Sequence, residues 1–432
     1  MKTGHFSRLT VFCALVGLVA GLAWRPALAD AQSPDWYRVR LLERRSHQPT
    51  APQAVIGSGT AASCQSQDAA NALSNAVATG GDITFNCGPA PMVMTVNTNA
   101  TDKTVTIDGG GLVSLSGEDT RQIFFLFGSA NLTLNNISLV DGAGFAGAAI
   151  SISTAQASAT INHSFLTSND AGTSNGGAIF NRGTLVINHS SLGANRSGNF
   201  GGAIFNNGGT VTIKNSTIIN NDAAEGAGIW HSEGTVTVEN SSIRSNRATG
   251  LGGGLHIDVG TVTVVNSTIF DNKASGGGGI YMRGNSLTIT NATFNRNRAD
   301  TGGALWNFAG ATTVKNTIFN DSRNTADSSP SLNCDGPSVT SGGRNIVSDN
   351  SCVPNPGSVG DLLATNPKLE QFINDNGGPT RTFLLLPDSP AINYGQGCPA
   401  TDQRGVARPI GPGCDVGAVE YAHFVLLPLV VR

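Results

Sequence analysis

Charged side chains are scarce in this chain of 432 residues: Asp, Glu, Lys and Arg together supply only 13% of it, roughly half of the usual ~25%. A shortage of that size excludes a charge-rich helical or disordered protein. The net charge is only -3 and no basic face is evident, which excludes the electrostatic footprint of nucleic-acid binding. No two cysteines stand in a C-x-x-C pair, so the sequence lacks the commonest zinc signature. Past the N-terminus, no apolar stretch reaches the ~20 residues needed to span a bilayer as a helix. Glycine, by contrast, is abundant at 55 residues, which suits many short strands joined by tight turns.

What is present is a repeat. Ile179, Ile204, Ile229, Leu255, Ile280 and Leu305 follow one another at spacings of 25, 25, 26, 25 and 25. Each closes a Gly/Ala-rich run such as Gly176-Gly177-Ala178 or Gly252-Gly253-Gly254. Two polar ladders keep the same period. One contains Asn136, His163, His189, Asn215, Asn240, Asn266, Asn291 and Asn316; the other contains Asn169, Asn195, Asn221, Asn246, Asn272 and Asn297. A period near 25 with about three short strands per unit predicts a solenoid whose coils stack ~4.8 Å apart through parallel pairing. Asn suits the ladders because it tolerates left-handed corners and its amides bond along the axis. Within one unit, a turn is expected at Gly208-Gly209.

The N-terminus reads as an export signal: Lys2 and Arg8, an apolar stretch from Leu9 to Trp24, and the small-x-small site Ala27-Leu28-Ala29. The expected organisation is a signal over 1–29, a leader over 30–57, an N-terminal cap with the first coils over 58–130, and repeats over 131–325. A disulfide-containing loop region over 326–360, a C-terminal cap over 361–421 and an apolar tail over 422–432 complete it. A short helix over 66–79, with Ala70, Leu73 and Val77 on one face, is expected to cover the first coil. Six cysteines remain after the signal. In an exported chain these predict disulfides, most simply the sequence-local pairs Cys64–Cys87, Cys334–Cys352 and Cys398–Cys414.

The repeats resemble those of the polymorphic outer membrane proteins: Gly-Gly-Ala-Ile is literal at Gly176–Ile179 and Gly201–Ile204, and Phe294-Asn295-Arg296-Asn297 matches a Phe-x-x-Asn element. Farther on come Asn376-Gly377-Gly378-Pro379-Thr380-Arg381-Thr382, Leu386-Pro387-Asp388-Ser389-Pro390-Ala391-Ile392, Asp402-Gln403-Arg404-Gly405 and Cys414-Asp415-Val416-Gly417-Ala418-Val419-Glu420. These resemble the choice-of-anchor Q domain of bacterial surface proteins. The resemblance implies an all-β, right-handed parallel β-helix of the pectate-lyase-like type, secreted or held at the bacterial cell surface. No autotransporter barrel, sortase signal or spanning helix is recognisable after the repeats, and the tail Leu427-Pro428-Leu429-Val430 reads equally as a sorting signal or as a last strand.

Two candidate sites emerge. After each aliphatic of the repeat comes Phe180, Phe205, Trp230, His256, Tyr281 or Trp306. Because side chains alternate across a strand, aliphatics pointing in place this row outside, as a ligand-binding surface for a polysaccharide or cell-envelope partner; the reversed register would make the rings core filler. The second is a catalytic constellation of Glu233, Asp258 and Arg283, one per coil, with His231 and His256 near by. Polysaccharide lyases and glycoside hydrolases on this fold need clustered carboxylates, or calcium with a base. The array's carboxylates are sparse, and opposite charges on neighbouring strands are ordinary stabilising contacts. The balance favours a non-catalytic binding protein without a cofactor. Calcium is not indicated, and the sequence does not specify an oligomeric state.

Overall fold

The computed structural model describes residues 52–337, 339–353 and 359–421. The export signal, most of the leader and the apolar tail lie outside the described residues. The aliphatic row forms one stripe: Ile179, Ile204, Ile229, Leu255, Ile280 and Leu305 pair successively, in parallel and in register. All six are fully buried in one continuous apolar core.

A coil contributes three strands, for example Ile179–Asn181, Thr184–Asn188 and Ser191–Gly193. The third belongs to a sheet of 11 parallel strands, and the first two to the larger sheet around the core. The result is an all-β, right-handed parallel β-helix. At Gly208-Gly209 the expected turn is absent. Ile204–Lys214 runs as one strand of 11 residues, with its register against the next coil shifted between Asn206 and Thr210. Gly208, at φ 85°, absorbs the bend without ending the pairing. Stacking also begins and ends outside the expected limits. Ala54–Ile56 already pairs with Gly81–Phe85, and strands at Cys334–Asp335, Thr340–Ser341 and Ile346–Val347 continue the coils into the segment read as loop.

The two Asn ladders do different work. Asn136, His163, His189, Asn215, Asn240, Asn266, Asn291 and Asn316 all have φ between 45° and 51°, so they serve as left-handed corners. The second ladder is wholly internal. The Nδ2 of Asn169, Asn195, Asn221, Asn246 and Asn272 donates to the Oδ1 of the next member at 2.8–3.0 Å. That Oδ1 also accepts the preceding member's backbone N–H, so each amide locks two coils in register. A serine ladder repeats the device: the N–H groups of Ser164, Ser190, Ser216 and Ser241 each donate to the Oγ of the next serine at 3.1 Å.

The first coil is covered by two helices, α1 (Ala61–Cys64) and α2 (Gln67–Thr79). Ser66 caps α2 by accepting from Ala69 N–H, and Gly80 ends it at φ 91°. Its buried side comprises Ala69, Ala70, Leu73 and Val77, shielding an edge that would otherwise offer unpaired strand groups. The disulfides are Cys64–Cys87, Cys334–Cys352 and Cys398–Cys414.

The C-terminal segment is a strap along the flank of the solenoid, reaching back several coils. Thr380 donates to the carbonyl of Asn240, Asn266 to that of Thr401, and Thr268 to Gln403 Oε1 at 2.6 Å. Farther along the flank, Asn291 donates to the Asp415 carbonyl and Ala418 N–H to Thr293. With almost no regular structure of its own, the strap is organised around buried charge. Asp402 pairs with Arg404 at 2.6 Å, and Glu420 with Arg408 at 3.2 Å, with all four side chains at most 1% exposed. Asp415 accepts the N–H groups of Asn393 and Tyr421. Burial raises its carboxyl pKa to about 6.

Removing one partner of a buried pair is costly because the other charge stays buried. Asp402→Ala is therefore expected to lower stability by about 3–5 kcal/mol and to open the strap to proteolysis. Urea unfolding and limited digestion check this; an unchanged midpoint with an uncut strap would contradict it.

Candidate functional site

In the strands that open each coil, the first residue points into the core and the second points out of it. Phe180, Phe205, Trp230, His256, Tyr281 and Trp306 are in register from coil to coil. Phe205, Trp230 and Tyr281 are absent from the main apolar core that holds their aliphatic neighbours. The row therefore stands outside the bore, in the register that the aliphatic pattern predicts.

Standing outside does not leave the rings displayed. Phe205, Trp230, His256 and Tyr281 are only 4–8% exposed, and Phe180 and Trp306 at the ends are half-buried. Strand spacing near 4.8 Å brings successive rings into van der Waals contact. Phe180, Phe205 and Trp230 stack at 5.5 and 4.8 Å with interplanar angles of 17° and 10°, so their faces are used up on one another. Phe200, from the neighbouring turn, closes over Trp230 at 4.9 Å. Glycine turns also cross the row: a Cβ at Gly226 would lie 2.7 Å from Trp230 Cβ, and one at Gly276 would lie 2.3 Å from Trp306 Cε3. The small residues before each aliphatic make no platform either. At Gly228, Gly254 and Gly279 a Cβ would meet the next coil's carbonyl oxygen at 2.3–2.5 Å.

The stack opens toward its C-terminal end. The angle between neighbours grows to 38° at Trp230–His256, 60° at His256–Tyr281 and 72° at Tyr281–Trp306. Phe308, 52% exposed, sits 6.0 Å from Trp306 at 85°. Trp306 and Phe308 thus form the open aromatic patch of this face, packed on the buried Tyr281 ring.

Ionisable groups gather beside it. Asp258 Oδ1 lies 3.2 Å from Arg283 Nη1, and Glu225 Oε2 lies 3.2 Å from His256 Nδ1. Burial raises the Glu225 pKa, the Asp258 charge adds to the rise, and Arg283 opposes it. Burial likewise raises the Tyr281 hydroxyl, which also feels Arg283, Glu225 and Asp258. His256 is pushed down to about 4 by burial, so its ring is neutral at pH 7.

Of the three charged residues singled out in sequence, Asp258 and Arg283 meet. Glu233 is exposed and, among the described residues, joins no ion pair. Glu225 takes its place, a residue that sequence reasoning passed over. The usable signal was its slot: the residue before the left-handed glycine is Asn175, Phe200, Glu225, Leu251, Gly276 or Thr301, and Glu225 alone is charged. Chemically, the group offers a carboxyl with raised proton affinity, a second carboxyl group paired with a guanidinium, and a neutral imidazole. That set can hydrogen-bond several hydroxyls at once. Among the described residues, no cluster of His, Cys, Asp and Glu is arranged to hold a metal ion.

His231 stands apart from this group. It lies on the inward side of its strand, fully buried, with Nδ1 3.0 Å from Asn206 Nδ2. It continues a short amide stack in which Asn181 donates to Asn206 at 2.6 Å.

Residues 229–366 match the family described as the right-handed β-helix region. No curated protein and no solved structure matches the chain significantly. The chain is thus a β-helix protein, a class whose fold serves binding proteins and polysaccharide-active enzymes alike.

Burial lowers the His231 pKa to about 4, whereas an unfolded histidine titrates near 6.5. The folded state thus excludes a proton that the unfolded state accepts. The stabilisation is present above pH 6.5 and is lost as the pH falls toward 4, about 2 kcal/mol of it by pH 5. Asp415, with its raised pKa, works in the opposite direction between 6 and its unfolded value. His231→Asn extends the amide stack and isolates the effect. The variant should lose about 2 kcal/mol less than the parent between pH 7 and 5, read by urea unfolding; parallel pH profiles would refute the assignment.

Proposed function

We propose that this chain is an exported, non-catalytic β-helix protein that binds a glycan of its surroundings, or a glycan-bearing envelope partner, on the face of the aromatic row. The observation that carries the reading is that the row ends in the open Trp306–Phe308 patch, seated on Tyr281 beside Glu225, Asp258 and Arg283. Sugar rings have apolar faces that pack on aromatic side chains and hydroxyls that seek charged partners. The three disulfides fit an oxidising, extracellular setting. The choice-of-anchor Q and polymorphic outer membrane protein resemblances point to the bacterial surface and belong to the same proposal.

A second reading has one observation in its favour. Two neighbouring carboxyl groups, Glu225 with its raised pKa and Asp258, are the side chains that glycoside hydrolysis employs. A panel of soluble and insoluble polysaccharides, scored for co-sedimentation and for new reducing or unsaturated ends, with and without calcium, separates the two. Binding without new ends is expected, and the double variant Trp306→Ala/Phe308→Ala should weaken it about tenfold or more. New ends that disappear in Glu225→Gln would replace this reading with the enzymatic one.

A further inference from the structure

A second site lies away from the aromatic face, where the last coils meet the returning strap. Lys315, Gly342, Gly343, Arg344, Val359, Gly360 and Gln396 line a cavity of about 410 Å³. Lys315 and Arg344 enter no ion pair among the described residues, a state they share with Arg182, Arg244, Arg247 and Lys273, whereas other cations of the array are paired. Arg196, Lys214, Arg283, Arg296, Arg298 and Arg323 each meet a carboxylate.

The register explains how the vacancy arises. Lys315 occupies the same strand slot as Lys214, whose neighbour on the next coil is Glu239, its partner at 2.8 Å. The slot beside Lys315 holds Thr290 on one side. On the other side, Gly342 donates its N–H to the Val314 carbonyl and brings no side chain. A Cβ at Gly342 would come within 3.1 Å of Lys315 Cβ, so the glycine keeps the space open.

Both cations are positioned. The Arg344 guanidinium lies over the Tyr394 ring at 4.7 Å, and Tyr394 Oη donates to the Gly360 carbonyl at 2.8 Å, fixing the ring beneath it. A Cβ at Gly397 would lie 3.1 Å from Lys315 Nζ, placing the ammonium against the turn that carries Gln396. The acidic neighbour in sequence, Asp361, is buried, and its Oδ1 accepts from the N–H and Nδ2 of Asn345. The segment 354–358 is Pro-Asn-Pro-Gly-Ser and has no charge to contribute.

We propose that this cavity binds an oxyanion, the carboxylate, sulfate or phosphate group of an acidic glycan, between the Lys315 ammonium and the Arg344 guanidinium. A planar guanidinium and a point-charge ammonium lining one cavity match such a group. The site shares no residue with the aromatic patch, so it stands or falls on its own.

The test is calorimetric titration of the full mature chain with inorganic sulfate, inorganic phosphate and a uronic-acid oligosaccharide, against chloride at matched ionic strength. Saturable binding is expected from at least one oxyanion. Lys315→Gln and Arg344→Gln should each weaken it about tenfold with an unchanged thermal midpoint, and Trp306→Ala should leave it intact. Binding of the oligosaccharide alone assigns the glycan as source, whereas equal binding of the inorganic ions assigns the bare oxyanion. Absence of saturable binding by all three, or binding indifferent to both substitutions, overturns the proposal.

Discussion

Everything in this molecule depends on each coil lying in register on the next. No strand in the repeats is long enough to hold a core alone, so backbone pairing between coils and the shared aliphatic stripe stabilise the array together. The register is enforced twice. The aliphatics from Ile179 to Leu305 fill one continuous bore, and the internal ladder from Asn169 to Asn297 bonds each coil to its neighbour through both amide and backbone. A slip by one residue would turn the core outward and break every rung of that ladder.

The same constraint shapes the candidate site. A substitution repeated at a 25-residue spacing recurs at the strand separation, so aromatic residues in one slot must stack whether or not a ligand is bound. Stacking uses up the faces of Phe180, Phe205 and Trp230. The stack opens only where His256 interrupts it, beside Glu225, and the later rings tilt. Both proposed sites are places where the repeat is interrupted: aromatic stacking opens at one, and at the other Gly342 stands where Glu239 faces Lys214 farther back in the array.

The periodic features were legible in the sequence because periodicity is what stacking selects. The coil length, the inward aliphatics, the left-handed Asn corners, the N-terminal helix and the disulfide pairs could all be read from residues alone. The course of the C-terminal strap could not, because its bonds from Thr380 to Asn240 and from Gln403 to Thr268 join residues 135–140 apart with no shared period. Nor could the burial of the aromatic row, which depends on how closely the glycine turns cross it. Glu225 escaped notice because its neighbours in space, His256 and Asp258, lie on the next coil, and only the slot-by-slot comparison isolates it.

The central claim is that recognition occurs at the open end of the aromatic row and not along its stacked part. Tryptophan fluorescence tests this most directly, in one variant keeping only Trp306 and another keeping only Trp230, each titrated with a polysaccharide that the parent binds. The account predicts that Trp306 shifts to shorter wavelength and becomes shielded from acrylamide, while Trp230 stays unresponsive. A response from Trp230 alone, or from neither residue while binding persists, would contradict it.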